Sequence, residues 1–331
     1  MTFQRMGIST IIALAAGGLI STLISSATIL SLLSQAITYA IFALGIGVLL
    51  RQNGLVSFGH ALYFGGAGYI VGLFLNLQLM PAELAIFVTL LCLAAFAFLI
   101  GLIIVRVPGI AFGMLTLAIG QMFFLSASRS RGVTGGADGM PIDWPSTVFG
   151  FTQAQILKPE NLFLVCWVTL IVLMVLLTLL LRSRFGVITE AVRDNEERAR
   201  FIGIATLLPR AAIYALSATI TGVGGILAAL NTGFISPESL HWSLSGMALM
   251  MVVVGGFKVL WGPVLGAMVY FLFKDVLGDF ATHWMAIFGI ALITVIVFSP
   301  TGIAGYLQRL VSHNKTKSVS VVKEQEATAG V

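Results

Sequence analysis

Histidine, cysteine and acidic side chains, the groups that most often catalyse reactions or bind metals, are few and scattered in this sequence. The two cysteines, Cys92 and Cys166, lie in separate apolar runs, a setting typical of buried packing residues rather than a disulfide. No G-x-x-x-x-G-K-[ST] loop that would hold a nucleotide phosphate is present. No two of the four histidines have a metal-ligand spacing such as i, i+4; they are His60, His241, His283 and His313. The sequence therefore predicts no catalytic residue, no metal site and no cofactor.

Four polar side chains on otherwise apolar stretches form a candidate site for a solute. They are Ser57, His60, Tyr63 and Thr116. Hydroxyl and imidazole groups inside a membrane can line the route of a polar solute, which gives a translocation-pathway interpretation. The alternative is a hydroxyl bonded to a carbonyl of its own helix, or a buried histidine satisfied by internal partners, and this is the commoner outcome for such residues.

Residues 182–210 hold the densest group of charges, with six arginines and four acidic residues. The spacing predicts two short helices, with Thr189 or Ser183 capping the first and Gly203 ending the second. Acid-before-base pairs at i, i+4 support helices here; they are Asp194 with Arg198 and Glu196 with Arg200.

The apolar residues of the same segment suggest a partner protein. Ala191, Val192, Phe201 and Ile202 do not fit inside a bilayer beside so many charges, and they would suit a groove on another protein. The alternative is a solvated amphipathic linker, although a linker does not need alternating charge and a defined glycine stop. We therefore interpret the segment as a docking surface.

The elements that carry these residues must lie mostly in lipid. Of the 331 residues, 58% are hydrophobic and 9% are charged, whereas a soluble domain has about 25% charged residues. The mean hydropathy is +1.04. This composition excludes a soluble enzyme, a nucleic-acid-binding protein and a disordered regulator. It predicts an all-α, polytopic bundle of transmembrane helices.

Helices of about 20 residues cross a hydrocarbon core of about 30 Å, and this length sets the predicted spans. Two of the predicted spans, 243–257 and 259–273 on either side of Lys258, are shorter than this. They fit tilted helices, half-helices or one re-entrant hairpin. Residues 1–305 are predicted to form one transmembrane domain with an external loop at 129–160, and residues 306–331 a disordered cytoplasmic tail. About ten spans are predicted, with a range of eight to ten, at 8–29, 32–50, 55–77, 84–105, 108–128, 161–181, 211–230, 243–257, 259–273 and 284–299.

The distribution of lysine and arginine predicts the orientation of the chain. With the N-terminus inside and ten crossings, 14 basic residues fall on the cytoplasmic side and four on the outside, as the positive-inside rule expects. Both termini and residues 182–210 are therefore predicted to be cytoplasmic. The outer four are Arg129, Arg131, Lys158 and Lys274.

The predicted spans hold almost no ionisable groups. His60 is the one ionisable residue well placed inside a span, whereas carriers coupled to protons or sodium usually need intramembrane carboxylates or histidine relays. This disfavours an ion-coupled carrier, and an ATP-independent carrier or channel stays as the alternative class of function. If ATP energises transport, the nucleotide chemistry belongs to another chain.

Several stretches resemble the permease subunits of ATP-binding-cassette (ABC) importers for branched-chain amino acids, the LivM-type more than the LivH-type. Residues 191–196 followed by Gly203 resemble the ATPase-docking loop of that family, and Gly54–Gly65 resembles its Gly-x-x-Ser-x-Gly-His-Ala segment. The resemblance covers about residues 35–300, and five motifs in the same order make it specific. The other three motifs lie at 114–118, at 134–139, and in one C-terminal stretch made of 235–237, 255–256 and 262–267.

The resemblance implies a multi-pass permease of the bacterial inner membrane that is not itself an enzyme. Its partners would be two cytoplasmic ABC ATPase subunits, a paralogous permease subunit in a heterodimer, and a periplasmic binding protein that delivers the solute. Leucine, isoleucine and valine are the usual solutes of the family, and urea or short-chain amides are the alternative. Nucleic acid is not among the implied partners.

The resemblance also implies two contact sites. The ATPase contact would include Glu190, Arg193, Asp194, Glu196, Arg200 and Gly203. The contact with the binding protein would include Thr134, Gly135, Gly136 and Asp138, with a simple glycine turn as the alternative. Two features depart from the family pattern: Arg198 and Arg200 make the second docking helix more basic, and Pro209-Arg210 replaces a basic-aromatic entry into the next helix.

Overall fold

The computed structural model describes residues 3–24, 26–143, 145–148, 150–278, 284–298 and 301–308. Within them the chain is a bundle of α-helices. The ten longest are α1 (Phe3–Leu23), α2 (Ala27–Asn53), α3 (Ala61–Asn76), α4 (Ala82–Ile104), α5 (Gly109–Arg129), α8 (Pro159–Arg182), α11 (Leu207–Thr232), α12 (Trp242–Gly255), α13 (Gly262–Gly278) and α14 (Trp284–Phe298). The shorter ones are α6 (Arg131–Thr134), α7 (Gln153–Ile156), α9 (Arg184–Asp194) and α10 (Glu196–Phe201).

The predicted external loop, residues 129–160, contains short regular elements rather than free chain. Besides α6 and α7, it holds a 3-10 turn at Gly136–Asp138 and three two-residue strands. One of them, β1, pairs outside the loop, which fastens the loop to the end of α11. The antiparallel pairs are β1 (Met140–Pro141) with β4 (Phe234–Ile235) and β2 (Thr147–Val148) with β3 (Phe151–Thr152).

A long helix lies at each of the ten predicted spans. Five of these helices, α2, α4, α5, α8 and α11, are long and apolar enough to cross a membrane by length and composition. The all-α class is therefore confirmed. The number of helices that cross the membrane stays a prediction.

The third predicted span, 55–77, is not one continuous helix. The chain leaves α2 at Gly54, whose φ of 65° lies in the left-handed region, and helix resumes only at Ala61. Side chains satisfy the backbone of the segment between them, because the N–H of Phe58 donates to Thr116 Oγ1 (3.2 Å) and that of Ala61 to Ser245 Oγ (2.7 Å). Irregular backbone at membrane depth is stable only where protein groups bond it in this way.

Close packing of α2 against α11 forms the centre of the bundle, where both helices are buried along most of their length. A methyl group at Gly45 of α2 would overlap the side chain of Thr221 on α11. One at Gly225 would overlap the carbonyl of Phe64 on α3. Small residues let helix backbones approach each other in lipid, so these glycines position α2, α3 and α11 in contact.

The two short spans beside Lys258 are separate helices, α12 and α13, packed against each other. The turn between them places Lys258 in the wall of a pocket shared with Arg51 and Arg193, at the end of the bundle that holds residues 182–210. At the other end of α12, the ring centroid of His241 lies 5.0 Å from that of Phe124. Phe124 belongs to the last part of α5, close to the external loop. α12, which has 14 residues, therefore extends from the side of the external loop toward the end that holds residues 182–210. The choice between two crossings and a re-entrant hairpin stays a prediction.

The predicted boundary between the transmembrane domain and the tail stays a prediction. Residues 302–308 are helical, so helix includes the first three residues of the predicted tail, 306–331. Residues 309–331 lie outside the described residues, as does His283.

Candidate functional site

The charged segment folds into the two predicted short helices, α9 and α10, followed by a turn at Gly203; residues 184–203 are called the docking element below. Ser183 occupies the N-cap position of α9, but its side chain makes no capping hydrogen bond. Thr189 lies inside α9 and is buried, and its hydroxyl donates to Oε1 of Gln52 at the end of α2 (2.8 Å). The prediction that Thr189 caps the helix was wrong, because its hydroxyl tethers α9 to α2 instead.

A single residue, Asn195, separates the two helices. Its backbone is extended, and its side-chain oxygen accepts the N–H of Arg198 (2.8 Å), which caps the start of α10. Asp194 ends α9 and pairs with its neighbour Arg193 (2.6 Å). The predicted pair of Asp194 with Arg198 was wrong, because the break at Asn195 puts the two residues on different helices.

Gly203 ends the docking element, as predicted. Its φ is 85°, and its N–H donates to the carbonyl of Arg200 (2.9 Å), while the N–H of Ile204 donates to the carbonyl of Ala199 (3.0 Å). These two bonds form a Schellman motif, which needs a left-handed residue at this position. Glycine meets that need without the steric cost of a Cβ atom.

The carboxylate of Glu196 joins α10 to the start of α11. It accepts hydrogen bonds from Arg200 (2.6 Å), from Thr206 (2.9 Å) and from Arg210 (2.6 Å). The predicted pair with Arg200 is confirmed. Sequence analysis missed Thr206 and Arg210 as partners, because no helical periodicity continues across the turn at Gly203 to connect them with Glu196.

Opposing effects set the pKa of the Glu196 carboxyl. Partial burial alone would raise this pKa, but the hydrogen bond from Thr206 and the charges of Arg210 and Arg200 outweigh burial and hold the pKa below its ordinary value. The carboxylate is therefore ionised at neutral pH, and the link between α10 and α11 is charge-assisted.

The docking element is also bonded to the C-terminal end of α2. Arg193 on α9 donates from its guanidinium to the carbonyl of Arg51. In addition, Nδ2 of Asn53 donates to the carbonyl of Arg210 (2.9 Å), which ties the end of α2 to the beginning of α11. One docking element is thus fixed to both central helices of the bundle.

Three large apolar side chains of the docking element are exposed. Phe201 is 89% exposed, Ile202 72% and Val187 62%. Val192 was expected beside them, but it is buried beneath the element, because its side of α9 packs on the bundle. Glu190 and Asp194 are more than half exposed on α9, and Glu197 and Arg200 line a pocket together with Phe201.

The predicted pathway residues Ser57 and His60 belong to a buried chain of hydrogen bonds with Ser217. Nδ1 of His60 lies 2.7 Å from Ser57 Oγ, and Nε2 lies 2.7 Å from Ser217 Oγ. Ser217 donates to the carbonyl of Gly45 (2.7 Å), so its oxygen accepts the Nε2–H of His60, and Nδ1 accepts from Ser57. A neutral imidazole satisfies every bond of this chain.

The other two predicted pathway residues are buried nearby. Thr116 Oγ1 donates to the carbonyl of Gly113 (2.8 Å), and Tyr63 Oη donates to Tyr214 Oη (2.9 Å). Internal hydrogen-bond partners therefore account for the polar groups of all four residues. This favours the alternative given above, in which these side chains are satisfied within the protein. Their role in a pathway stays a prediction.

The external segment at 134–138 is an ordered turn. Thr134 Oγ1 donates to the carbonyl of Ala127 at the end of α5 (2.6 Å). Gly135 and Gly136 have φ values of 75° and 68°, which explains the glycines by backbone geometry alone. Asp138 is exposed. The contact with a binding protein stays a prediction, and the glycine turn is confirmed as the local structure.

A cavity of about 550 Å³ opens between α3, α4 and α5, beside this turn. Tyr63 and Thr134 both line the cavity, so it connects two of the predicted sites. Tyr69 also lines it, and the buried hydroxyl oxygen of Tyr69 has no hydrogen-bond partner among the described residues. Gly66 and Tyr69 were not predicted, although their spacings of three and six residues from Tyr63 place them on one side of α3.

The two cysteines are unpaired. Cys166 is buried, as expected for a packing residue, but Cys92 is exposed and lines the cavity. The expectation of burial was wrong for Cys92, because α4 borders an open space on that side. Within the described residues, no group of three or more histidine, cysteine or acidic side chains could hold a metal ion.

Comparisons with known proteins place these features in a family. Residues 28–297 match the family model described as "Branched-chain amino acid transport system / permease component". The high-affinity branched-chain amino acid transport system permease protein LivM of Escherichia coli is 24% identical over 80% of this chain and 67% of its own length. The corresponding protein BraD of Pseudomonas aeruginosa is 27% identical over 81% of this chain and 92% of its own. The autoinducer 2 import system permease protein LsrC of Salmonella typhimurium is 26% identical over 77% of this chain and 72% of its own. No solved structure matches the chain.

Proposed function

This chain belongs to the family of branched-chain amino acid transport system permease components, and on that premise we propose that it forms the membrane pathway of an importer driven by separate ABC ATPase subunits. As a member of this family it is a multi-pass protein of the inner membrane and a transport subunit, not an enzyme. The observation that carries the proposal is the attachment of the docking element to both central helices.

Force from the ATPase enters through the docking element. Glu196 bonds the element to α11 through Arg210 (2.6 Å), and Arg193 bonds it to the end of α2. Charge-assisted bonds of this kind hold two elements in a fixed relation. Movement of the docking element therefore moves α2 and α11 together, and the difference in its contacts between two ATPase states supplies the coupling free energy.

The exposed face of the docking element is the surface that contacts the ATPase. Phe201 and Ile202 enter an apolar groove, because a large exposed aromatic residue is typical of an interface anchor. Glu197 and Arg200 line a pocket together with Phe201. The charges of Glu190, Arg193 and Asp194 on α9 extend the contact and orient it.

All ten long helices cross the membrane, with both termini and the docking element in the cytoplasm. The 14-to-4 division of basic residues supports this orientation, and so does the path of α12 from the external loop to the pocket that contains Lys258 and Arg51. Residues 1–305 form the permease domain, and residues 306–331 are a tail outside it.

The complete importer contains two ATPase subunits, this chain paired with a paralogous permease, and a periplasmic binding protein. The turn from Thr134 to Asp138 faces the binding protein, because it lies at the opposite end of the bundle from the docking element. Leucine, isoleucine and valine are the transported solutes, in line with the family description and with the printed functions of LivM and BraD.

Co-purification tests the ATPase contact. We expect two ATPase chains to remain bound to the detergent-solubilised wild-type complex and Phe201→Asp to weaken their binding at least tenfold, because a charge replaces the interface anchor. Phe151→Asp is the matched control, since Phe151 is an exposed phenylalanine (59%) on the external loop. Its complex should keep both ATPase chains.

Two outcomes would contradict the proposal. Full ATPase binding in Phe201→Asp would place the contact elsewhere on the chain. Uptake of leucine into proteoliposomes that contain the permease without any ATPase would instead assign the chain to an ATP-independent carrier or channel.

A further inference from the structure

We propose that the cavity between α3, α4 and α5 is a binding site for an aliphatic amino acid, with the aliphatic side chain against its apolar wall and the polar head group bonded to the hydroxyl of Tyr69. The inference rests on the proposed function, because it assigns a substrate site within the same permease. It extends that function by placing the site inside one subunit and by naming the groups that select the solute.

The wall of the cavity selects apolar ligands. None of its lining residues is charged, and most of its wall is built from apolar side chains such as Leu62, Leu93, Phe96 and Phe123. The charged groups of an amino acid lose favourable hydration against such a wall, so they bond the few polar groups of the cavity instead. A branched aliphatic side chain gains free energy there in proportion to its buried apolar surface.

The polar groups of the cavity lie nearer the outside. Asn76 at the end of α3 donates to the carbonyl of Pro141 in the external segment (2.8 Å), so Tyr69 lies closer to the outer end of α3 than Tyr63. Ser130 and Thr134 also line the cavity beside the external turn. A solute that enters from outside therefore meets hydroxyl groups with its head and apolar groups with its side chain.

The hydroxyl of Tyr69 is the observation that points to a ligand. Tyr69 is 5% exposed, and its oxygen is one of five buried side-chain atoms without a hydrogen-bond partner in the described part of the chain. Of these five, only Tyr69 lines the cavity. Buried hydroxyl groups are almost always bonded, so a ligand head group that bonds Tyr69 removes the cost of the unpaired hydroxyl.

Gly66 keeps the cavity open. Its neighbours on α3 are packed, because a methyl group at Gly65 would overlap Ser239 and one at Gly68 would overlap Ile235. At Gly66 no heavy atom lies within 4 Å of the position a methyl group would take, and Gly66 lines the cavity. A volume of about 550 Å³ falls within the usual range for small-molecule sites, about 300–1,000 Å³.

The chemistry of the cavity favours an amino acid over two other occupants. Urea has no apolar part to bury against the apolar wall. The acyl chain of a phospholipid would cover the apolar wall but would offer Tyr69 no hydrogen-bond partner. An aliphatic amino acid offers an apolar side chain to the wall of the cavity and a polar head group to the hydroxyl of Tyr69.

Alkylation of Cys92 tests the site, because this exposed thiol lines the cavity whereas Cys166 is buried and serves as the internal reference. The complete transporter in lipid nanodiscs is treated with N-ethylmaleimide, and the modification of each cysteine is followed by mass spectrometry. We expect saturating L-leucine to slow alkylation of Cys92 at least fivefold and urea at the same concentration to have no effect.

Two variants and a control separate binding from packing. Gly66→Leu fills the cavity and should abolish the protection by leucine. Tyr69→Phe keeps the ring and removes only the hydroxyl, so it should raise the leucine concentration needed for protection about tenfold, as the loss of one hydrogen bond to a charged group predicts. Gly18→Leu, at another glycine with no heavy atom within 4 Å, should behave as wild type.

Equal alkylation rates of wild-type Cys92 with and without leucine would overturn the inference. A native mass spectrum in which Gly66→Leu loses one bound phospholipid, together with no effect of leucine, would assign the cavity to lipid and also overturn it. If Gly66→Leu does not fold, Tyr69→Phe still tests the inference. An unchanged leucine concentration for protection of Cys92 in that variant would reject the role of the hydroxyl. ATPase co-purification with Phe201→Asp reports on the proposed function separately.

Discussion

At the scale of single residues, Glu196 has the largest number of bonds that hold the docking element to the bundle. Its carboxylate accepts from Arg200, Thr206 and Arg210, and the last two belong to the beginning of α11. The lowered pKa of this carboxyl shows that its positively charged neighbours outweigh its partial burial. The ion pair that joins α10 to α11 therefore depends on one ionised side chain.

Glu196→Gln should loosen the docking element without unfolding the bundle. The change removes the charge from two ion pairs that solvent partly screens, and we expect a local loss of about 1–2 kcal/mol. Hydrogen–deuterium exchange should then be about 5–30-fold faster for the amides of residues 196–204. Glu197→Gln is the control, because Glu197 is exposed and the structure gives it no ion pair within the described residues.

The same carboxyl predicts the direction of the pH dependence. Because its folded-state pKa is lowered, its contribution to stability is complete above the ordinary carboxyl pKa of about 4.3 and is lost as the pH falls through the folded-state value. Exchange of these amides should accelerate with acid, beyond the intrinsic effect of pH, in the wild type but not in Glu196→Gln. If acid accelerated exchange equally in the wild type and in Glu196→Gln, the acceleration would come from the titration of another group.

At the scale of elements, the sequence predicted those features of the docking element that depend on near neighbours. Two helices, the pair of Glu196 with Arg200 and the stop at Gly203 all follow from spacings of a few residues. The position of the break between these two helices, at Asn195, was not predicted, because an asparagine followed by glutamates also fits a continuous helix.

Distant partners could not be predicted from spacing. His60 bonds Ser217, which is 157 residues away in the chain, and Asn53 bonds the carbonyl of Arg210 at the same separation. Only the packing of α2, α3 and α11 brings these groups together. For the same reason the cavity was missed, although Tyr63 and Thr134 on its wall had been singled out for other reasons.

Lys258 tests whether α12 and α13 both cross the membrane. In a background with Cys92→Ala and Cys166→Ala, Lys258→Cys should react with a membrane-impermeant maleimide only from the cytoplasmic side, because Lys258 shares a pocket with the end of α2 and with α9. Gly150→Cys in the external loop is the matched control and should react only from the outside. Reaction of both cysteines from the same side would contradict the ten-span topology.

At the scale of the whole molecule, the two ends of the bundle differ in structure. One end carries the docking element, fixed to α2 and α11, and the other carries the ordered turn at 134–138 beside the mouth of the cavity. The central helices α2 and α11 connect the two ends, and glycines such as Gly45 and Gly225 pack them closely against their neighbours. A change at the docking end can therefore reach the outer end through packed helices rather than through a flexible linker.

Solute-dependent ATP hydrolysis by the reconstituted complex, measured for Gly203→Trp, tests this coupling most directly. The φ of 85° at Gly203 disfavours any residue with a Cβ atom, and no heavy atom lies within 4 Å of the Cβ position, so the indole distorts the end of α10 and projects from the docking surface. Gly150→Trp is the matched control, since Gly150 also has a positive φ (78°) and open surroundings but lies in the external loop. We predict that Gly203→Trp inserts into the membrane normally and loses solute-dependent hydrolysis at least tenfold, whereas Gly150→Trp keeps it. Normal solute-dependent hydrolysis in Gly203→Trp would contradict the role of the docking element.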